Sequence, residues 1–209
     1  MKYENKIGSW DIEYNFDNKE TYDSSKDEDG NVSLSDKLFK KFTEKNTQTI
    51  KKVVEIGLPK KGEQIRLITT NVFNSISIID YISKIEKIKE AIFVIFAINQ
   101  SAARLLIEMK IQGRIDNVKF IISSIRNAGH KSKSKAVDLL KEYFNDLYYV
   151  NSHAKISILR TEYDNHYIIE GSGNFSFNGR VEQYIIDNDK KLYDFSKEWI
   201  KEIEKYKMK

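Results

Sequence analysis

No cysteine occurs in the 209 residues, which excludes a disulfide framework, a thiolate metal site and a catalytic thiol. Histidine is nearly as scarce. His130, His153 and His166 are the three side chains that titrate near neutrality, so each is a candidate acid, base or nucleophile. Proline occurs once, at Pro59 beside Lys60-Lys61-Gly62, and marks a boundary. Long apolar runs are missing as well: the longest, residues 91–98, has eight residues, against about 20 for a membrane span. The opening Met1-Lys2-Tyr3-Glu4-Asn5 carries neither an apolar core nor a cleavage signal. These absences lead to the expectation of a cytoplasmic protein that does not enter membranes.

What is present suits one folded domain. Apolar residues make up 40% and charged residues 32%, the composition of a globular protein with one sizeable core. The net charge of +4 is unevenly spread. Residues 1–34 hold four lysines against nine acids, a charge of −5, so the rest of the chain carries +9. A basic body favours a polyanionic partner, although Lys-, Ile- and Asn-rich usage alone accounts for such an excess about as well.

The acidic first segment ends in Asp27-Glu28-Asp29-Gly30-Asn31, a turn or loop signal, yet alternates apolar and polar residues from Ser9 to Phe16. Residues 1–50 therefore read as an N-terminal extension with a candidate docking arm and a helix opened by Ser35-Asp36. Residues 51–209 read as the main domain. There, β-rich and apolar runs at 64–70, 91–97 and 117–123 alternate with helical periods at 75–89, 99–112 and 134–145. Strands at 147–150, 153–160, 167–171 and 181–187 follow, and then a helix over 190–207 with Leu192, Phe195, Trp199 and Ile203 on its apolar face. The fold class implied is α/β, a mixed β-sheet flanked by helices on both faces.

The chemistry concentrates in the last third. His153 and Lys155, two residues apart on an expected strand, share one face, while Ala154, Ile156 and Ile158 take the other. A histidine and a lysine side by side make a phosphate-handling pair, one a nucleophile or acid and the other neutralising oxygen charge. The returning strand delivers Gly171-Ser172-Gly173-Asn174, where glycines would let the backbone approach an anion and Ser172 and Asn174 supply neutral donors. Arg180 and Glu182 come next. Arg126, His130, Lys131 and Lys133 form a basic loop before a helix, a candidate phosphate-backbone contact. His166, beside the hairpin, reads as an exposed strand-end residue.

His153-Ala154-Lys155 followed by Gly171-Ser172-Gly173-Asn174 resembles the H-x-K and G-S-x-N signature of the phospholipase D-like superfamily, and the stretch from Asn174 to Tyr184 is similar to its single-motif bacterial and phage members. The resemblance implies a phospholipase D-like half-domain in which His153 attacks phosphorus to give a phosphohistidine. Lys155, Asn174 and Ser172 would hold the non-bridging oxygens, and Glu182 would orient His153. It implies no metal and no cofactor, and a homodimer, because two motifs make one site and this chain has one. A metal-independent phosphodiesterase, nuclease-like on DNA or RNA, is the function expected. The alternatives are a phosphate- or nucleic-acid-binding module that does not turn over, or a structural protein joined to a larger phage or host assembly through residues 1–50. One departure stands out: the family's aspartate after H-x-K is here Arg160.

Overall fold

The computed structural model describes residues 50–51, 53–69, 73–124, 131–176 and 181–206, with only the backbone of residues 131–134 described. The N-terminal extension up to residue 49, together with Arg126, His130 and Arg180, lies outside these residues. So do the side chains of Lys131 and Lys133.

Seven strands form one mixed sheet. In chain order the elements are β1 (Gln64–Thr69), α1 (Ile76–Ile85), β2 (Ile88–Ile95), α2 (Gln100–Ile111), β3 (Ile115–Ser123), α3 (Lys131–Tyr143), β4 (Asp146–Val150), β5 (Ile156–Thr161), β6 (His166–Gly171), β7 (Glu182–Asn188) and α4 (Lys190–Glu204). The spatial order is β1-β7-β6-β5-β2-β3-β4. β2, β3 and β4 run parallel, whereas β5, β6, β7 and β1 are joined antiparallel, so the sheet has a crossover half and a hairpin half that meet at the β2–β5 pair.

Both faces are covered. Apolar residues of α1, α2 and α3, among them Ile79, Ile82, Leu106, Met109 and Leu140, pack with Phe93, Phe120 and Ile186 of the sheet. On the opposite face Tyr193 and Ile200 of α4 meet Ile92, Ile121, Ile156, Ile158 and Ile168. This alternation explains the strand sequences: Ile156 and Ile158 point to α4 and Leu159 to the other layer. Helix starts are marked by side-chain caps. Asn99 accepts from the Ala102 N–H at 2.8 Å and Asp189 from the Leu192 N–H at 2.9 Å. Ile50 and Val53, preceding Pro59, pack with Tyr81 of α1 and so belong to the folded body. Among the described residues no helix is long and apolar enough to cross a membrane.

Three expectations need correction. Ile88 and Lys89, taken as the end of a helix, begin β2, because the helix stops at Glu86, whose backbone is extended. α4 buries Tyr193, Ser196 and Ile200, leaving Phe195 66% and Trp199 37% exposed, so its inward stripe is one residue round from the expected one. His166 is buried, not exposed: its ring meets Tyr193 edge-on at 5.0 Å, and its Nδ1 lies 3.1 Å from the Asp164 carbonyl oxygen. The cover over His166 comes from Tyr193 of α4, a contact that periodicity does not give. We expect Ile200→Ala to cost about 2–5 kcal/mol of unfolding free energy, and Phe195→Ala to stay within about 0.5 kcal/mol, in denaturant titrations.

Candidate phosphate-binding site

The antiparallel pairings bring four chain segments to one end of the sheet. β5 starts where β2 ends, with Val94 opposite Ile156. β6 ends where β5 starts, with Glu170 opposite Ile156, and β7 starts where β6 ends, with Tyr184 opposite Gly171. The loop after β6 is held to the segment after β2: Ile98 and Phe175 form a bridge, the Asn99 N–H donates to the Phe175 carbonyl at 2.7 Å, and the buried Phe175 ring meets Phe93 at 5.5 Å. His153, Lys155, Gly171, Ser172, Gly173, Asn174 and Glu182 thus arrive together from separate elements.

His153 and Lys155 are not on a strand. They lie in the irregular segment that enters β5, which begins at Ile156. The pair is nonetheless formed: Lys155 Nζ donates to the His153 carbonyl at 3.2 Å and lies 3.4 Å from Nδ1. Both side chains lean on Phe96, just past β2, with the imidazole 4.5 Å from its ring and Lys155 Nζ 5.3 Å from its centroid. The expected alternation also survives, since Ala154 packs with the α4-side core.

Ser172 and Glu182 form a second unit. The Ser172 hydroxyl donates to Glu182 Oε2 and accepts from the Gln183 N–H at 3.1 Å, and the Ser172 N–H donates to the Gln183 carbonyl at 3.0 Å. Glu182 is buried and grips Ser172, whereas the orienting role expected of it would direct it to His153.

The glycines meet a steric need that sequence reading did not give. Neither Gly171 nor Gly173 has a positive φ. A Cβ on Gly171 would fall 2.5 Å from Tyr184 Cδ1, and one on Gly173 would fall 1.9 Å from the Tyr184 hydroxyl oxygen. The Tyr184 ring lies across both positions, held by Phe73 in an edge contact at 5.4 Å, and at Gly171 the Gln183 carbonyl oxygen leaves a Cβ no room either.

Beside these units is a cleft lined by, among others, Lys155, Gly171, Gly173, Asn174, Tyr184 and Ser75. Its interior space is ≈ 10 Å³, about enough for one water-sized group. Ser75 precedes α1 and makes no capping bond through its side chain. On the cleft wall, desolvation and then the Asp187 carboxylate raise the Glu170 pKa above its ordinary value. Among the described residues no three His, Asp or Glu side chains converge as a metal site. Arg160 lies away from the cleft. Four residues along β5 from Ile156, about 13 Å, it pairs with Glu90 at 3.6 Å. Sequence reasoning missed Phe96, which looked like one more apolar residue of a buried run. It also missed Tyr184, although an aromatic residue opposite two alternating glycines on a neighbouring strand was a readable signal.

Comparison with known proteins fits this architecture. Solved structures similar to this chain include NucT from Helicobacter pylori, 14% identical with a TM-score of 0.54 over 70% of this chain and 99% of that one. The phospholipase D family member Nuc from Salmonella typhimurium is 17% identical, with a TM-score of 0.54 over 70% of this chain and 97% of that one. Polyphosphate kinase from Porphyromonas gingivalis is 8% identical, with a TM-score of 0.54 over 68% of this chain but 26% of its own length. No family model and no curated protein matches the sequence. The chain has the phospholipase D-like fold. If Tyr184 is what demands glycine, Gly173→Ala should lower stability by about 1–3 kcal/mol in urea titrations. Unchanged stability would return the glycines to the service of a bound anion.

Proposed function

We propose that this chain is a metal-independent phosphodiesterase, a nuclease acting on DNA or RNA through His153. The observation that supports it is the meeting of two polar units at one end of the sheet, His153 with Lys155 and Ser172 with Glu182, beside an oxygen-sized cleft that Lys155, Gly171, Gly173 and Asn174 line. An imidazole nitrogen attacks phosphorus, and the bond from phosphorus to the leaving oxygen breaks as that oxygen takes a proton from a second His153. Water then attacks the phosphohistidine and gives its proton to the second His153, and the phosphorus–nitrogen bond breaks to restore the first imidazole. Lys155, Asn174 and Ser172 hold the non-bridging oxygens as charge develops on them. Glu182 bears on the site through its contact with Ser172.

The second His153 comes from a second copy. Each chain carries one motif, and His153 is exposed, so two copies can face one another about a twofold axis. Nucleic acid is the favoured substrate because the body beyond residue 34 is basic. Gly171, Gly173, Arg180, Arg126, His130, Lys131 and Lys133 are proposed to border the path of the backbone, the two glycines through the shape they allow the cleft.

A non-catalytic phosphate- or nucleic-acid-binding module is the second reading. It is favoured by the Lys155 contact on His153 Nδ1 and by the engagement of Glu182 with Ser172: among the described residues no carboxylate is seen bonded to the imidazole.

The deciding assay is cleavage of single- and double-stranded DNA and RNA with chelator present. We expect turnover to persist in chelator and to fall by about 10³-fold or more in His153→Ala. Salt-sensitive binding equal in both proteins, with no product, would select the binding module. Sedimentation of the wild type should give a dimer at the concentrations that are active.

A further inference from the structure

Tyr184 is 1% exposed, and its ring is wedged between Phe73 and the two glycines of the donor loop. Its hydroxyl has no hydrogen-bond partner among the described residues. A buried, unpartnered hydroxyl destabilises the free protein, and such groups are rare in folded chains. Nothing about the packing of the ring requires the oxygen. Phenylalanine would fill the same space against Phe73, Gly171 and Gly173.

The oxygen belongs to a residue of the cleft wall. It is the nearest atom to a Cβ built on Gly173, and Tyr184 lines the cleft together with Lys155 and Asn174. Asn174 Oδ1 is a second buried atom without a partner in the same cleft, and a half-turn of that amide presents its NH₂ instead. Two unpartnered polar groups and one ammonium therefore surround a space of ≈ 10 Å³. A whole phosphate does not fit there; a single oxygen atom does. Burial, and next the charge of Glu182, push the phenol pKa up, so the group stays a proton donor through the physiological range.

We infer that the Tyr184 hydroxyl is a phosphate-binding group that donates a hydrogen bond to one non-bridging oxygen of the phosphoryl group, in the recess between Gly173 and Asn174. This rests on the phosphate-handling reading of the site, and adds to it a donor outside the H-x-K and G-S-x-N residues. The donor is neutral and buried, so it discriminates by position: it serves the oxygen that enters the recess and not its neighbour. The glycines at 171 and 173 then have a consequence for binding, because they let the ring approach closely enough for its oxygen to form the floor of the recess.

The test is binding of inorganic phosphate to the full-length chain, by calorimetry and by the rise in melting temperature with phosphate, for wild type, Tyr184→Phe and Phe73→Leu. Without phosphate, Tyr184→Phe should melt at or above the wild-type temperature, since it loses an unpartnered hydroxyl. Its phosphate affinity should fall by about tenfold, the usual effect of one lost hydrogen bond. Phe73→Leu should melt lower but keep phosphate affinity within about twofold, because it loosens the ring without removing the donor. Equal phosphate affinity in wild type and Tyr184→Phe would overturn the inference, as would a lower melting temperature for Tyr184→Phe, which would make the hydroxyl a structural group. So would a wild type that does not bind phosphate. Turnover is not needed for this readout: a protein that binds phosphate through Tyr184 yet cleaves nothing loses the proposed activity and keeps the donor.

Discussion

The antiparallel pairing of β5 with β2 at the centre of the sheet is the contact from which the site follows. β2 is the first strand of the parallel half, and its C-terminal end is where the connections to α2 leave the sheet. Open α/β sheets bind ligands at such ends, where strand order reverses. Because β5 runs the other way, its first residues land at that same end, and the segment that precedes it, carrying His153 and Lys155, is delivered onto Phe96. β6 and β7 then extend the hairpin half outward, one register pair at a time, so Gly171 and Tyr184 meet beside the start of β5. The pair thus joins a crossover half that supplies the floor to a hairpin half that supplies the polar groups.

A second constraint acts inside that frame. Tyr184 stands opposite Gly171, and its ring reaches across to Gly173, so two alternate positions of the donor loop are stripped of side chains by steric need. Loop conformation is then set by the ring from one side and by the Phe175 anchor from the other. Ser172, between the two glycines, is turned toward Glu182 and the backbone of Gln183. Three elements, β6, β7 and the loop between β2 and α2, therefore determine where Ser172 and Asn174 point. A site assembled from so many contacts is held by packing, and its polar atoms need not be held by one another.

Much of this was legible in the sequence because buried strands announce themselves. The runs around Phe93, Phe120 and Ile168 are apolar and β-branched, and the α/β alternation with helices on both faces follows from them. The motif residues were equally readable as a set, since their spacing places two short polar segments at the ends of neighbouring strands. What failed was local. Ile88 continues the helical period of Ile78, Ile82 and Ile85, so periodicity alone cannot tell that the chain straightens after Glu86. Lys155 and His153 alternate like strand residues, but the β2–β5 pairing stops at Val94 and Ile156, short of them. The inward face of α4 and the burial of His166 depend on how that helix is rotated on β5 and β6, which is a property of tertiary packing.

Arg160 shows how position along one strand separates structure from chemistry. The residue stands in register with Glu90 and His166, on the α4 side, and pairs with a carboxylate that also accepts from Lys197 at 2.7 Å and Tyr193 at 3.0 Å. Lys197, and after it Tyr193 and Arg160, outweigh the desolvation of Glu90 and hold its pKa below the ordinary value, so the cluster stays charged and keeps α4 on the sheet. An aspartate at 160 would set a second carboxylate beside Glu90, a repulsion the arginine converts into attraction. The substitution is thus accounted for by α4 packing at the opposite end of β5 from the cleft. It leaves the groups around Lys155, Asn174 and Tyr184 to be judged on their own geometry.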